Sequence, residues 1–237
     1  MEKHTVSASL TDNTKYMNRA LPVKKSFDII ERNLIIGGQN SAFYFIDGFT
    51  KDETMLKLMD SFLNISADDM PEDATSFSTS CIPYVEVDIL GDFDSIFKNL
   101  LSGVTCLFID GYEAAIAIDC RTYPSRSIEE PDKDKSLRGS RDGFVETIVF
   151  NTALMRRRIR DPHLIMEMYE AGTSTRTDVA LCYMSDRVDR ELLTTIQNKL
   201  EESKSQDLKM SQQSLAEALF QRKWYNPFPK YKFTERP

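Results

Sequence analysis

The chain has 237 residues, of which 41% are hydrophobic and 28% are charged, and its formal net charge is −7. These values are typical of a globular protein with one large domain or two small ones. The acidic balance argues against general nucleic-acid binding, which normally requires a basic domain. Four scattered cysteines and two histidines lack the clustering of a zinc site, so we expect free thiols in a reducing compartment, no metal and no cofactor.

The N-terminal half predicts an α/β (α+β) subdomain over residues 20–123, preceded by a polar arm over residues 1–19. The arm lacks the apolar core of a secretory signal, and no apolar run is long enough to span a membrane. Helical spacing of apolar residues predicts a helix over LPVKKSFDIIERN (21–33). The segment LIIGGQNSAFYFIDGF (34–49) predicts a hairpin that turns at Gly37-Gly38.

Two further helices and three further strands complete this first subdomain. A capping box at Thr50 and Glu53 opens the helix KDETMLKLMDSFLN (51–64). The helix DFDSIFKNLLSG (92–103) is predicted to begin after Asp92 and to stop at Gly103. Period-two alternation predicts a strand in CIPYVEVDIL, and VTCLFIDGYEAAIAIDC is a second hairpin. The elements together predict a mixed β-sheet flanked by helices.

A charged segment rich in Pro and Gly, residues 124–143, is predicted to link the first subdomain to a second α/β subdomain over residues 144–237. The second subdomain begins with the helix FVETIVFNTALMRRRIR (144–160), which is ended by Asp161-Pro162. A hairpin over 163–185, helices over 186–202 and 211–224, and a terminal strand follow. Because the last strand lacks a partner strand, we expect the second subdomain to be incomplete at residue 237.

The sequence contains no strong catalytic motif, and we predict no catalytic residues. Gly37-Gly38 lies in a hairpin turn and is not the opening of a P-loop helix. Two histidines leave little room for a catalytic triad. Asp47, Asp110 and Asp119 end apolar strands, where a carboxylate serves either acid–base chemistry or, as we favour, turn geometry.

The run MRRRIRD concentrates positive charge at the end of a predicted helix. Arg156, Arg157 and Arg158 point in directions about 100° apart, so they cannot share one flat face. Cations in a final helical turn complement the helix dipole by roughly 0.3–1 kcal/mol each. One or two cations suffice for that, so the remaining arginines favour bidentate partners, either carboxylates or phosphates. The run contains no aromatic residues for base stacking, which argues further against nucleic acid.

Four motifs around this run are similar to the GerA family of spore germination proteins. They are EEP (129–131), RGSRDGF (138–144), NTALMRRRI (151–159) and GTSTRT (172–177), and the likeness extends over nearly all of the chain from about residue 20. The resemblance implies a soluble, non-enzymatic N-terminal domain of a spore inner-membrane protein, on the cytosolic (core) side. Two α/β subdomains would precede several transmembrane helices that are absent from this sequence.

The resemblance also implies that the full-length protein self-associates and acts with a partner membrane protein in an oligomeric ion-release complex. In that interpretation the arginines make subunit or inter-subdomain contacts with carboxylates; the candidate residues are Arg138, Arg141, Arg156, Arg157, Arg158 and Arg160. An alternative is a sensor that binds a small germinant between the subdomains. Arg138 or Arg141 would then hold an anionic group, and the linker would act as a hinge at Pro131, Gly139 and Gly143. Contact of the basic run with an anionic membrane surface is a third hypothesis.

Overall fold

The computed structural model of the chain describes residues 4–50, 52–84, 86–123, 143–204, 215, 216, 219, 232–235 and 237. The chain divides into two compact units, residues 1–125 with 152–164 and residues 126–151 with 165–237. The sequence predicts residues 152–164 to be part of the second subdomain, whereas the structure groups them with the first unit. The reason is local packing, because Ala153 lies in the first unit's core and Arg156 pairs with a carboxylate of that unit.

The first unit is built on a five-stranded sheet. Its strands are β1 (Ile29–Ile36), β2 (Gln39–Ile46), β3 (Val87–Leu90), β4 (Thr105–Ile109) and β5 (Ala115–Ile118). Their order across the sheet is β1-β2-β4-β5-β3, and every pair of neighbours is antiparallel. The α+β class predicted from sequence is confirmed. The predicted mixed sheet is instead antiparallel throughout, and short hairpins join β1 to β2 and β4 to β5.

Helices cover both faces of this sheet. They are α1 (Leu10–Ala20), α2 (Asp52–Leu63), α3 (Ala74–Ser80) and α4 (Phe93–Leu101). Successive strand residues point to opposite faces: Tyr44 packs in one core cluster with α1 and α4, and Phe43 packs in a second cluster with α2 and α3. Because both faces are covered, β4 and β5 are buried along their whole length.

Local signals in the sequence predict several of these elements correctly. The Asp92 carboxylate accepts a hydrogen bond from the Ser95 N–H (2.9 Å) and so caps α4, as predicted. Gly37 and Gly38 both have positive φ and form the predicted turn between β1 and β2. A Cβ on Gly37 would also lie 2.7 Å from Met70 Sδ, so glycine is required there by space as well as by conformation.

The sequence mispredicts three segments at the sheet margins. The helix predicted over 21–33 is wrong: residues from Ile29 onward pair with β2 along the full length of β1, and this pairing outweighs the helical spacing. The polar arm contains α1, which is anchored by Ser9 as N-cap and by the buried Met17. The strand predicted over 81–90 is confined to Val87–Leu90, where the ladder to β5 exists.

The described part of the second unit contains a hairpin and a helix. The helix α5 (Ile148–Arg158) crosses the division between the units, and it is followed by β6 (Leu164–Ala171), β7 (Thr177–Met184) and α6 (Arg190–Ser203). The Glu167 carboxylate accepts hydrogen bonds from the hydroxyls of Tyr169 (2.8 Å) and Tyr183 (2.7 Å) and from the Gln197 amide (2.7 Å), which joins both strands to α6. The predicted helix over 211–224 and the strand after it lie largely outside the described residues.

Candidate functional site

The candidate site predicted from sequence is only partly within the described residues. Arg138, Arg141, Pro131 and Gly139 lie outside them. The third predicted hinge residue, Gly143, is buried. Of the predicted contact arginines, four lie within the described residues, three in the last turn of α5 and one shortly after it. They are Arg156, Arg157, Arg158 and Arg160. These four residues have sharply different surroundings.

Arg156 is fully buried and forms a bidentate ion pair with Asp28. Its side chain is 0% exposed and that of Asp28 is 1% exposed. The Arg156 Nε donates to Asp28 Oδ2 at 2.7 Å, and Nη2 donates to Asp28 Oδ1 at 3.2 Å. The two residues are 128 positions apart in sequence and belong to the same unit. The pair therefore fixes the end of α5 to the start of the first unit's sheet.

The remaining donors of Arg156 organise the turn that follows α5. Nη1 donates to the Asp161 carbonyl at 3.0 Å and Nη2 to the Leu164 carbonyl at 2.9 Å. On the other side of the pair, the Ser26 hydroxyl donates to Asp28 Oδ1 at 2.5 Å. Buried charges require this degree of hydrogen bonding, because removing either partner leaves an uncompensated charge at a cost of about 3–5 kcal/mol.

The other three arginines form an exposed group, which we call the arginine patch (Arg157, Arg158 and Arg160). The guanidinium carbon of Arg157 lies 4.5 Å from the centroid of the Tyr123 ring, within cation–π distance. The Arg160 Nε donates to the Arg157 carbonyl at 3.4 Å. Ile159, between them in sequence, is 38% exposed. Successive side chains on a helix point in directions about 100° apart, and here this rotation buries Arg156 while its neighbours Arg157 and Arg158 are exposed.

A second group of polar residues lies where β5 ends and was not predicted as a site. Arg121 Nε donates to Asp119 Oδ1 at 2.6 Å, and Arg121 Nη2 makes a second contact with Asp119 Oδ2. Arg121 Nη1 also donates to the Ser102 hydroxyl at 3.0 Å. The guanidinium holds the pKa of Asp119 below its usual range, chiefly through these hydrogen bonds, so the carboxylate remains ionised near neutral pH.

The other two strand-ending aspartates, Asp110 and Asp47, have different surroundings. Asp110 Oδ1 accepts the Leu10 N–H at 2.9 Å, at the first residue of α1. Burial raises the pKa of Asp47, and the neighbouring carboxylates Asp28 and Asp52 raise it further. Within the described residues, no three His, Cys, Asp or Glu side chains cluster in a way that could hold a metal ion.

Sequence reasoning missed the partner of Arg156. Asp28 stands between Phe27 and Ile29, and a charged residue inside an apolar run is the only sequence signal of its burial. That signal indicates a paired carboxylate, but a separation of 128 residues gives no indication of which cation it meets.

The chain matches known proteins over most of its length. Residues 15–237 match the family model described as Bacillus/Clostridium GerA spore germination protein. The chain is 32% identical over 237 residues to stage V sporulation protein AF of Bacillus subtilis (strain 168), which covers 100% of this chain and 48% of that relative. It is 28% identical over 236 residues to spore germination protein KA of the same strain, covering 98% of this chain and 43% of that protein. The chain thus spans less than half the length of these curated relatives.

A solved structure has the same fold. It is the crystal structure of the N-terminal domain of the A subunit of the Bacillus megaterium spore germinant receptor GerK3, with a TM-score of 0.63 and 20% identity. The match covers 87% of this chain and 75% of that one. None of the helices described here has both the length and the apolar character needed to cross a bilayer. The family match, in agreement with the motifs from residue 129 to residue 177, shows that the chain belongs to the GerA family of spore germination proteins.

Proposed function

We propose that this chain contributes to the assembly or signalling of an oligomeric ion-release complex in the spore inner membrane during germination. It lies on the core side of that membrane and performs no catalysis. Family membership supports the setting, since the relatives are named as sporulation and germination proteins. The observation that carries the proposal is the arginine patch, which a buried ion pair holds at a fixed place on the first unit.

The patch suits a protein contact because its geometry is preset. Arg156 fixes both the last turn of α5 and the turn that follows it. The neighbouring arginines therefore lose less conformational freedom when they bind a partner, which favours association. Arginine also presents a planar fork of donors that matches carboxylates bidentately.

The charge of the chain supports an acidic protein surface as the partner of the patch. The formal net charge is −7, so a basic patch on this protein is electrostatically complementary to acidic surface on a second copy. Opposed charges of this kind steer association and select partners more than they add affinity. We propose that the full-length protein self-associates through this patch, or uses it to bind its partner membrane protein.

The experiment reverses charge on the patch in the full-length protein within spores. Replacing both Arg158→Glu and Arg160→Glu should lower recovery of the oligomer in detergent and slow ion release by roughly tenfold, a typical effect of unfavourable interfacial charge. The matched control is Arg19→Glu, which reverses an exposed arginine on α1. Oligomer recovery and ion release equal to the control would overturn the proposal.

Two other hypotheses give different results in the same experiments. If the patch contacts anionic lipid, the charge reversal should abolish salt-sensitive binding to phosphatidylglycerol vesicles while leaving oligomer recovery unchanged. The germinant-sensor hypothesis depends on Arg138 or Arg141, which lie outside the described residues. A thermal-shift screen with amino acids, sugars and dipicolinate tests it, and stabilisation that is lost in Arg138→Ala or Arg141→Ala would favour a sensor over the assembly role.

A further inference from the structure

A groove of about 570 Å³ opens on the first unit, beside the strands β3 and β5. Two chain segments line it: the residues before β3 supply Tyr84 and Glu86, and the residues after β5 supply Asp119, Arg121 and Tyr123. The Asp119 N–H donates to the Glu86 carbonyl at 2.9 Å and holds the two segments together. The groove thus combines two aromatic rings, two carboxylates and one guanidinium.

The guanidinium in this groove is already bound by the protein. Arg121 pairs bidentately with Asp119, and its Nη1 donates to the Ser102 hydroxyl (3.0 Å) and to the Tyr123 hydroxyl (3.4 Å). Four of its five N–H groups therefore have partners. Since the charges of Arg121 and Asp119 cancel, the net charge of the lining is that of the Glu86 carboxylate.

Glu86 and Tyr84 present the binding groups that remain. Glu86 is exposed and forms no ion pair with any described residue. Tyr84 is 38% exposed, and its ring packs against no other described aromatic ring. Burial raises the pKa of the Tyr84 hydroxyl, and the nearby Glu86 and Asp119 carboxylates raise it further. The Glu86 carboxylate leaves this end of the groove with a negative charge, which disfavours an anionic ligand.

Tyr123 shows how a cation binds to this kind of surface. Its hydroxyl donates to the Ser102 carbonyl at 2.9 Å, and the Phe49 ring packs edge-on against it with centroids 5.3 Å apart. The ring is fixed by these contacts, and the guanidinium of Arg157 lies over it at 4.5 Å. A tyrosine ring in this part of the first unit thus already binds a guanidinium from the same chain.

We propose that the groove binds an organic monocation, a guanidinium or primary ammonium group, between the Tyr84 ring and the Glu86 carboxylate. The aromatic ring attracts the cation through its quadrupole, and the carboxylate supplies the compensating charge and accepts its N–H groups. The cation comes either from a free small molecule or from an arginine or lysine side chain of a partner protein. This proposal does not depend on the assembly role of the arginine patch, and its failure leaves that role untouched.

The test titrates the 237-residue chain with N-acetyl-arginine amide and follows backbone amide shifts by two-dimensional NMR. We expect the amides of Glu86 and Asp119 to shift in a saturable way, whereas the neutral isostere N-acetyl-citrulline amide should leave them in place. Glu86→Gln and Tyr84→Leu should each weaken binding about fivefold, as expected for loss of one cation contact at an exposed site. The control Glu113→Gln removes another exposed carboxylate, from the loop between β4 and β5, and should bind like the parent chain.

The outcomes separate the two sources of the cation. Binding of the peptide acetyl-Gly-Gly-Arg-Gly-Gly-amide at least about tenfold tighter than methylguanidinium identifies a partner's side chain, because only flanking backbone contacts distinguish the two probes. Equal affinities identify a free small cation. Equal shifts with the citrulline and arginine amides, or unchanged affinity in Glu86→Gln, would overturn the proposal.

Discussion

Two arginine–aspartate pairs in the first unit have the same bidentate chemistry but different surroundings. Arg156–Asp28 is completely buried, with side chains 0% and 1% exposed, whereas Arg121–Asp119 keeps 28% and 24% of its side-chain surface exposed. In the buried pair, water cannot replace a lost partner, so each residue depends on the other. In the partly exposed pair, water compensates in part, and similar hydrogen bonds contribute less to stability.

The largest effect should come from breaking the buried pair. Arg156→Leu leaves the Asp28 carboxylate buried, with Ser26 as its one remaining side-chain donor among the described residues, and it removes the Arg156 donors from the Asp161 and Leu164 carbonyls. We expect the free energy of unfolding to fall by about 3–5 kcal/mol, measured by urea denaturation. The control Arg160→Leu removes an exposed arginine two residues after α5 and should change stability by less than about 0.5 kcal/mol.

A double variant separates the ionic cost from the loss of the carbonyl contacts. Asp28→Leu combined with Arg156→Leu removes both charges, so it should recover part of the loss seen in the single variant. If the double variant is no more stable than Arg156→Leu, the loss of the carbonyl contacts accounts for most of the destabilisation, and the unpaired Asp28 charge does not.

An intermediate effect is expected from the partly exposed pair Arg121–Asp119, and it should depend on pH. Asp119→Asn should lower the free energy of unfolding at neutral pH by about 1–2 kcal/mol. Because Arg121 lowers the pKa of Asp119 in the folded state, this contribution is fully present above the unfolded pKa of about 3.9. It is lost as the pH falls through the lower folded value.

The measurement is a series of urea denaturations of the parent chain and Asp119→Asn from neutral pH into acid. The two stabilities should converge only below about pH 4, where Asp119 becomes protonated in the parent chain. Asp88→Asn, an exposed aspartate on β3, provides the control. A difference that stays constant across the acid range would show that the ion pair does not stabilise the fold.

The smallest effect should come from Arg157, the residue next to the buried Arg156. Arg157→Gln removes the cation over the Tyr123 ring and should cost about 0.5–1 kcal/mol, the range for an exposed cation–π contact. Arg157→Lys keeps a cation and should restore most of that stability in thermal unfolding. If lysine and glutamine destabilise equally, the contact acts through guanidinium packing and not through its charge.

Some features of the arginines at the end of α5 can be predicted from the sequence, and others cannot. The sequence indicates that the arginines of MRRRIRD diverge around the helix, because successive residues turn by about 100°. It also indicates that the arginines beyond one or two favour bidentate partners, either carboxylates or phosphates. It cannot indicate that Arg156 is the buried one, since that depends on where Ala153 packs in the first unit's core. The groove was missed because its five residues come from two distant segments, which only the pairing of β3 with β5 brings together.

The sequence by itself determined the elements that are fixed by local interactions, and it identified the family. Asp92 caps α4 through a residue three positions away, and Gly37-Gly38 turns a hairpin whose strands are adjacent in sequence. Tertiary structure decided that residues 29–36 form a strand, because the ladder to β2 outweighs their helical spacing. It also decided that Arg156 meets Asp28, because burial and long-range pairing arise only when segments far apart in the chain pack together.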